Sequence, residues 1–343
     1  MYGKKRRRIA QIMALLLLAI LLLSLIFGGC SARPGESAPE TDTPIRVVVT
    51  IFPIYDWTRQ VIGDQTDAEL TLLMDSGVDM HSFQPTAQDI LTISSCDVFI
   101  HIGGESDAWV DAVLKERTNP DMIVLNLLEA LGDLAREEEL PEGAQDDHAH
   151  EEVHDHEEHD PDENVYDEHI WLSLKNASFL VGVIADALSE ADPSHATQYA
   201  EAAADYRSEG LDVMDARYRE TVDLLPGRVL LFGDRFPFLY LAKDYGLTCY
   251  AAFAGCSAET EASFETIAFL SDKADEYNLS CILTIEGGDG RIAQTVIQNT
   301  ARADQKILSL DSMQATTSKD IEQGATYLGI MEKNLQILSE ALR

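Results

Sequence analysis

Two α/β lobes, each a mainly parallel sheet flanked by helices and joined by one long rigid helix, form the fold class that this sequence predicts. Three observations predict it. Short apolar runs rich in β-branched residues alternate with stretches of helical spacing, the pattern of strands linked by helical crossovers. The same alternation returns in the second half of the chain. Between the two series lies a stretch with apolar and aromatic residues three and four apart. A length of 343 residues suits two ordinary cores.

The elements follow in order. After a Pro/Ser/Glu-rich tether over 31–44, Ile45 to Ile51 reads as a buried strand turning through Pro53 into a helix. A second strand is expected over 67–75, a helix over 86–96, a strand over 97–102 ending at Gly103-Gly104, a helix over 107–117 and a strand from Met122. An acidic loop from Arg136 to Val165 interrupts the pattern, and a helix resumes after His169. Tyr199, Ala202, Tyr206, Leu211, Met214 and Tyr218 then mark one long helix of about thirty residues, with Gly210 its only breaker. In the second series, strands are expected at 228–234, 248–255, 280–289 and KILSLDSM, each followed by a helix, and the chain ends in a helix running from DIEQ to SEAL. The expected organisation is a leader at 1–30, the tether at 31–44, an N-terminal lobe at 45–190, a connecting helix at 191–225 and a C-terminal lobe at 226–343.

The formal net charge is −35, and the only basic cluster, Lys4-Lys5-Arg6-Arg7-Arg8, stands at the N-terminus. Nucleic acid is excluded as a partner, since phosphate binding needs a basic face. That basic cluster leads into an apolar stretch from Ile9 to Phe27 and then Gly28-Gly29-Cys30. The order resembles a bacterial lipoprotein signal, with Cys30 the lipidated first residue after cleavage. An uncleaved membrane anchor is the alternative, and either places the remaining chain outside the cytoplasm. Cys96, Cys249, Cys256 and Cys281 remain; their spacing assigns no disulfide, and there is no CxxC pair for a zinc knuckle.

Five of the nine histidines, His148, His150, His154, His156 and His159, lie within DDHAHEEVHDHEEHD, interleaved with carboxylates. Imidazole and carboxylate both ligate zinc and other divalent transition metals. The tract has almost no apolar residue, so it should be a mobile loop. A solvated acidic linker with incidental histidines is the bland alternative. Three further residues fall where open α/β sheets gather ligands, outside the carboxyl ends of strands. They are His81 in DSGVDMHSFQPTAQD, His169 in DEHIWLS, and Glu286 at the end of SCILTIE. Each has an ordinary structural alternative: a surface or core histidine, or a carboxylate capping a helix.

The segments GVDMHSFQPTAQDI, CDVFIHIGGESDAWV, the acidic histidine run, DEHIWLSLKNA, FPFLYLAKDYGL and ILTIEGGDGRIAQTVIQNT stand in one order along the chain. In that order, from about Ile45 to the C-terminus, the sequence resembles the metal-binding substrate-binding lipoproteins of bacterial ABC importers, their zinc branch above all. The resemblance implies an interlobe cleft that holds one Zn²⁺ or Mn²⁺ and delivers it to a membrane permease and its ATPase. It makes His81 and His169 ligands, and puts an acidic ligand at Glu286, with Asp289 as the near alternative. The family's remaining ligand, counted by register, falls on Gly233, which has no side chain. Asp234, a histidine of the acidic loop or solvent would then complete the site, with Cys256 a further option. Asp234 has its own alternatives, a cap or a salt bridge to Arg235. His101 stands where the family more often has an aromatic residue and is a further candidate.

Two imidazoles with a carboxylate suit zinc; a second carboxylate would admit manganese. The expected function is therefore an extracytoplasmic, lipid-anchored, high-affinity zinc receptor feeding an ABC importer. The competing readings are a manganese receptor of the same kind, a surface metal buffer or adhesin, and a zinc hydrolase. The hydrolase lacks support, since no GxSxG motif is present and the one HExxH match, His150 to His154, falls in the polar acidic tract rather than on an expected helix. No enzymatic activity is expected. The histidine tract is expected to capture zinc weakly and hand it on.

Overall fold

The parallel strands are short and apolar, and each sheet is covered on both faces. The computed structural model describes residues 44–63, 68–144, 165–257 and 261–343. One compact unit from Thr43 to Arg343 carries both sheets. The leader, Cys30 and all five histidines of the acidic tract lie outside the described residues.

The first sheet has the order β2-β1-β3-β4, all parallel, from β1 (Arg46–Val49), β2 (Glu69–Leu72), β3 (Val98–His101) and β4 (Ile123–Asn126). Its crossovers are α1 (Phe52–Ile62), α2 (Ala87–Ser95) and α3 (Val110–Lys115); a short α4 (Leu127–Leu131) follows β4. Thr86 and Asp89 close a reciprocal capping box that starts α2 sharply after the His81 loop.

After α5 (Leu174–Ala191) comes the predicted long helix. It runs without interruption through α6 (Ala196–Asp205), a π-helical stretch (Tyr206–Leu211) and α7 (Asp212–Leu224). Gly210 does not break it; the chain widens into the π stretch there, where Leu328 lies against Gly210.

The second sheet has the order β6-β5-β7-β8, again all parallel, from β5 (Val229–Phe236), β6 (Thr248–Ala254), β7 (Cys281–Ile285) and β8 (Lys306–Leu310). Its helices are α8 (Leu239–Tyr245), α9 (Phe264–Glu276) and α10 (Arg291–Asn299). The expected single terminal helix is in fact two, α11 (Ser318–Glu322) and α12 (Tyr327–Ala341). The chain bends at Gly324, where φ is +94°, and Thr326 caps the second helix.

Side-chain alternation explains the layering. Val47 and Val49, Val98 and Ile100, Leu230 and Phe232, and Leu283 and Ile285 all point into one continuous core shared by the two sheets. Val48 and Phe99 point the other way, into a cluster under α2 and α3. Leu231 and Ile282 point into a cluster under α9 and α10. The C-terminal segment crosses back to the first lobe: the Tyr327 amide donates to Asp56 (2.9 Å), and its hydroxyl donates to the Trp171 carbonyl (2.6 Å). Among the described residues, no helix is long and apolar enough to cross a membrane. Cys96, Cys249, Cys256 and Cys281 are all free thiols.

Candidate metal centre

Two histidines reach one another by the same local device. His81 sits in a one-turn 3-10 helix (Met80–Ser82) whose cap, Asp79, accepts the His81 backbone N–H at 3.1 Å. His169 sits just before a second 3-10 turn (Ile170–Leu172), and its backbone N–H donates to Asp167 at 2.8 Å. Each is thus the third residue of an Asp-x-His turn, because a short carboxylate readily bonds the backbone two residues on. Trp171, fully buried, fixes the second turn by donating its indole N–H to the Ser312 carbonyl at 2.8 Å.

The rings present their Nε2 atoms to each other, 3.4 Å apart, with centroids at 5.4 Å. The Nδ1 atoms are engaged elsewhere. His169 Nδ1 donates to Asp167 at 3.0 Å, and His81 Nδ1 lies 2.7 Å from the Ser106 hydroxyl. A proton held on each Nδ1 leaves two Nε2 lone pairs converging on one point. Two donors about 2.05 Å from a tetrahedral ion stand about 3.3 Å apart, close to the observed separation of 3.4 Å.

The electrostatics favour a cation. Burial, the neighbouring His169 and Arg235 hold the His81 pKa down, at about 4, so this ring is neutral and ready to ligate at neutral pH. Burial also works to lower the His169 pKa, but the charge and hydrogen bond of Asp167, with Glu168 and Glu138, outweigh it and raise it. Glu168 gives one oxygen to the Ser106 amide (2.9 Å); its Oε2, 3.8 Å from His81 Nδ1, is buried without a hydrogen-bond partner.

Cys256 completes a group of three. Its sulfur and the two histidine nitrogens all lie within 4.8 Å of one another. It follows Gly255 at the end of β6. A Cβ on Gly255 would stand 2.9 Å from the Phe236 carbonyl and 3.1 Å from the His169 ring, so only glycine lets the strand come this close. Burial, then Glu138, Glu168 and Asp167, push the Cys256 thiol far up, and it hydrogen-bonds the Glu138 carboxyl. Only a bound cation would remove its proton at neutral pH. Both stems of the acidic loop enter this centre. Glu138 N bonds the Val165 carbonyl (2.8 Å) and Asp167 N the Arg136 carbonyl (2.9 Å), so the stem residues themselves approach the thiol and His169.

The other candidates are placed elsewhere. Glu286 lies outside the three-residue group; it accepts from Ser312 N (2.7 Å), the Ser312 hydroxyl (2.6 Å) and Gln314 N (3.2 Å), and burial with Asp311 raises its pKa. Asp234 accepts from Arg235 N (2.9 Å) and Ile285 N (3.3 Å), and its side chain makes no ion pair with Arg235. Asp289 is exposed and pairs with Arg291. His101 is buried, bonded to Asp107 (3.2 Å) and stacked on Phe99. At Gly233 a Cβ would meet the Ala293 backbone at 2.5 Å, so α10 packs on this glycine. The residue of that segment turned to the histidines is Arg235, which pairs with Asp79 at 2.7 Å. Ser106, Glu138, Asp167 and Arg235 were not singled out as site residues from the sequence. The repeated Asp-x-His, in VDMHS and YDEHI, was the available signal.

Residues 47–341 match the model of a family described as zinc-uptake complex component A, periplasmic (ZnuA). The chain is 30% identical over 327 residues to the zinc-binding lipoprotein AdcA of Streptococcus pneumoniae (serotype 4), covering 94% of this chain and 60% of that protein. It thus spans about 60% of the length of the first curated relatives it matches. It is 28% identical over 314 residues to the high-affinity zinc uptake system protein ZnuA of Bacillus subtilis, covering 92% of each. Its fold is similar to the metal-dependent lipoprotein YcdH of Bacillus subtilis, with a TM-score of 0.67, 25% identity and coverage of 87% of this chain and 99% of that one.

Proposed function

The chain belongs to the family of periplasmic zinc-uptake component A proteins, and from that premise we propose that it is an extracytoplasmic receptor for Zn²⁺. It takes the ion between His81 and His169 and passes it to the permease of an ABC importer, driven by that importer's ATPase. The role is binding and delivery, not catalysis. The observation that carries the reading is the 3.4 Å facing of two Nε2 atoms whose Nδ1 atoms are already engaged.

Cys256 is the third donor. Thiolate and imidazole together favour zinc over manganese, which prefers harder oxygen ligands. The remaining position falls to a carboxylate, Glu286 if it leaves Ser312 and Gln314, or to solvent. The finer reading of location is anchoring to the cell membrane through a lipid on Cys30, supported by the basic, apolar and Gly-Gly-Cys order before it.

Chelator-competition titration of the mature chain tests the site. Either His81→Ala or His169→Ala should abolish tight zinc binding, while a variant lacking 145–164 should keep it. Tight binding that survives both histidine substitutions overturns the reading. For the anchor, Cys30→Ala should move the protein from the membrane fraction to the medium; unchanged fractionation contradicts it.

A further inference from the structure

Arg235 occupies a position that the histidine geometry alone does not explain. It stands at the end of β5, in the second sheet, yet its guanidinium reaches the turn of the first lobe that carries His81. One arm, Nη2, donates to Asp79 Oδ2 at 2.7 Å. The other oxygen of Asp79 accepts the His81 backbone N–H at 3.1 Å. The second arm, Nη1, reaches the Ser257 carbonyl at 3.5 Å, one residue after Cys256. The side chain is only 22% exposed.

We propose that Arg235 is a positioning residue for the metal: its fork ties the His81 turn to the Cys256 turn and so sets the spacing of their donor atoms. This rests on the proposed metal-binding role. A planar fork can hold two acceptors in fixed geometry, which a lysine ammonium on a flexible stem cannot. The tie matters because these two donors come from different lobes: His81 follows β2, and Cys256 follows β6. His169, by contrast, is fully buried and its ring is held by Asp167, without a bond to Arg235.

A sign test separates this role from a plain electrostatic one. A fixed cation beside the site repels a metal ion, so removing it should tighten binding if charge were its whole effect. Loss of a residue that orients ligands weakens binding, typically about 10–100-fold. Zinc affinity by chelator competition, and the cobalt(II) spectrum as a probe of thiolate ligation, are to be measured on the full mature chain. The variants are Arg235→Met, Arg235→Lys, Asp79→Asn and the Asp79→Asn/Arg235→Met double, with thermal melts to establish that each folds.

Arg235→Met should weaken zinc by about 10–100-fold and diminish the thiolate-to-cobalt charge-transfer band. Arg235→Lys should recover part of either effect at most, and the double variant should cost less than the sum of its singles. Unchanged or tighter zinc binding with a full charge-transfer band in Arg235→Met overturns the proposal. So do additive effects in the double variant. Absence of tight metal binding in the unsubstituted protein is a different failure, since it overturns the metal-binding reading itself and this proposal with it.

Discussion

At the scale of the residue, His169 is, in the proposed centre, the imidazole at which protons and zinc compete. Asp167 holds its pKa above the ordinary 6.5, whereas His81 is held down at about 4. Zinc affinity should therefore fall as pH drops through the raised His169 value, while His81 stays neutral. The metal-free protein has the opposite sign. A folded-state pKa above the unfolded one gives stability that is present below 6.5 and lost as pH rises through the raised value. Asp167→Asn should lower the pH at which affinity begins its fall, the onset of the acid effect, because it removes the charge that raises His169, and should weaken zinc by about 10–100-fold at neutral pH. Zinc titrations across a pH series check both; an unmoved onset would show that Asp167 does not set it. His81, His169 and Cys256 were legible as donor types in loops after strands. Their partners were not, because Ser106, Glu138 and Arg235 join the centre from elements far apart in sequence.

At the scale of the element, the strand ends build the site. Parallel strands carry apolar runs that a sequence shows plainly, and all eight named strands lie within or beside the expected segments. Register was harder to read. Counting along FGDRFPF places the missing ligand at Gly233, but β5 pairs irregularly with β6 between Phe232 and Arg235. Such an irregularity changes where side chains point, so Gly233 meets α10 and Arg235 meets the His81 turn. Gly233→Ala should cost about 1–3 kcal/mol, since a methyl must displace the Ala293 backbone. A urea melt checks this; a change within error would mean that α10 shifts freely. The terminal helix was misjudged as one because Gly324 is a single residue within helical spacing, and its positive φ is decided by how Thr326 and Tyr327 dock on the first lobe.

At the scale of the whole molecule, two sheets share one core, and their strand ends meet over His81, His169 and Cys256. The net charge of −35 attracts cations to the surface generally, whereas the proposed centre would select among them by donor type and spacing. The acidic histidine tract springs from stems that themselves enter the centre. Removing 145–164 should leave the equilibrium zinc affinity within a few fold and slow uptake only when zinc is scarce; growth in zinc-limited medium reads this. Unchanged growth there would leave the tract without a capture role. The two-lobe plan was legible because alternating periodicity is local, while the continuous core and the return of the last helix to the first lobe are long-range and left no mark in spacing. The most direct test of the central claim is zinc-edge X-ray absorption on the loaded mature chain. It should give imidazole outer-shell scattering from two histidines, with nitrogen at about 2.0–2.1 Å and one sulfur at about 2.3 Å. A spectrum without imidazole scattering, or one unchanged by His81→Ala and His169→Ala, would contradict it.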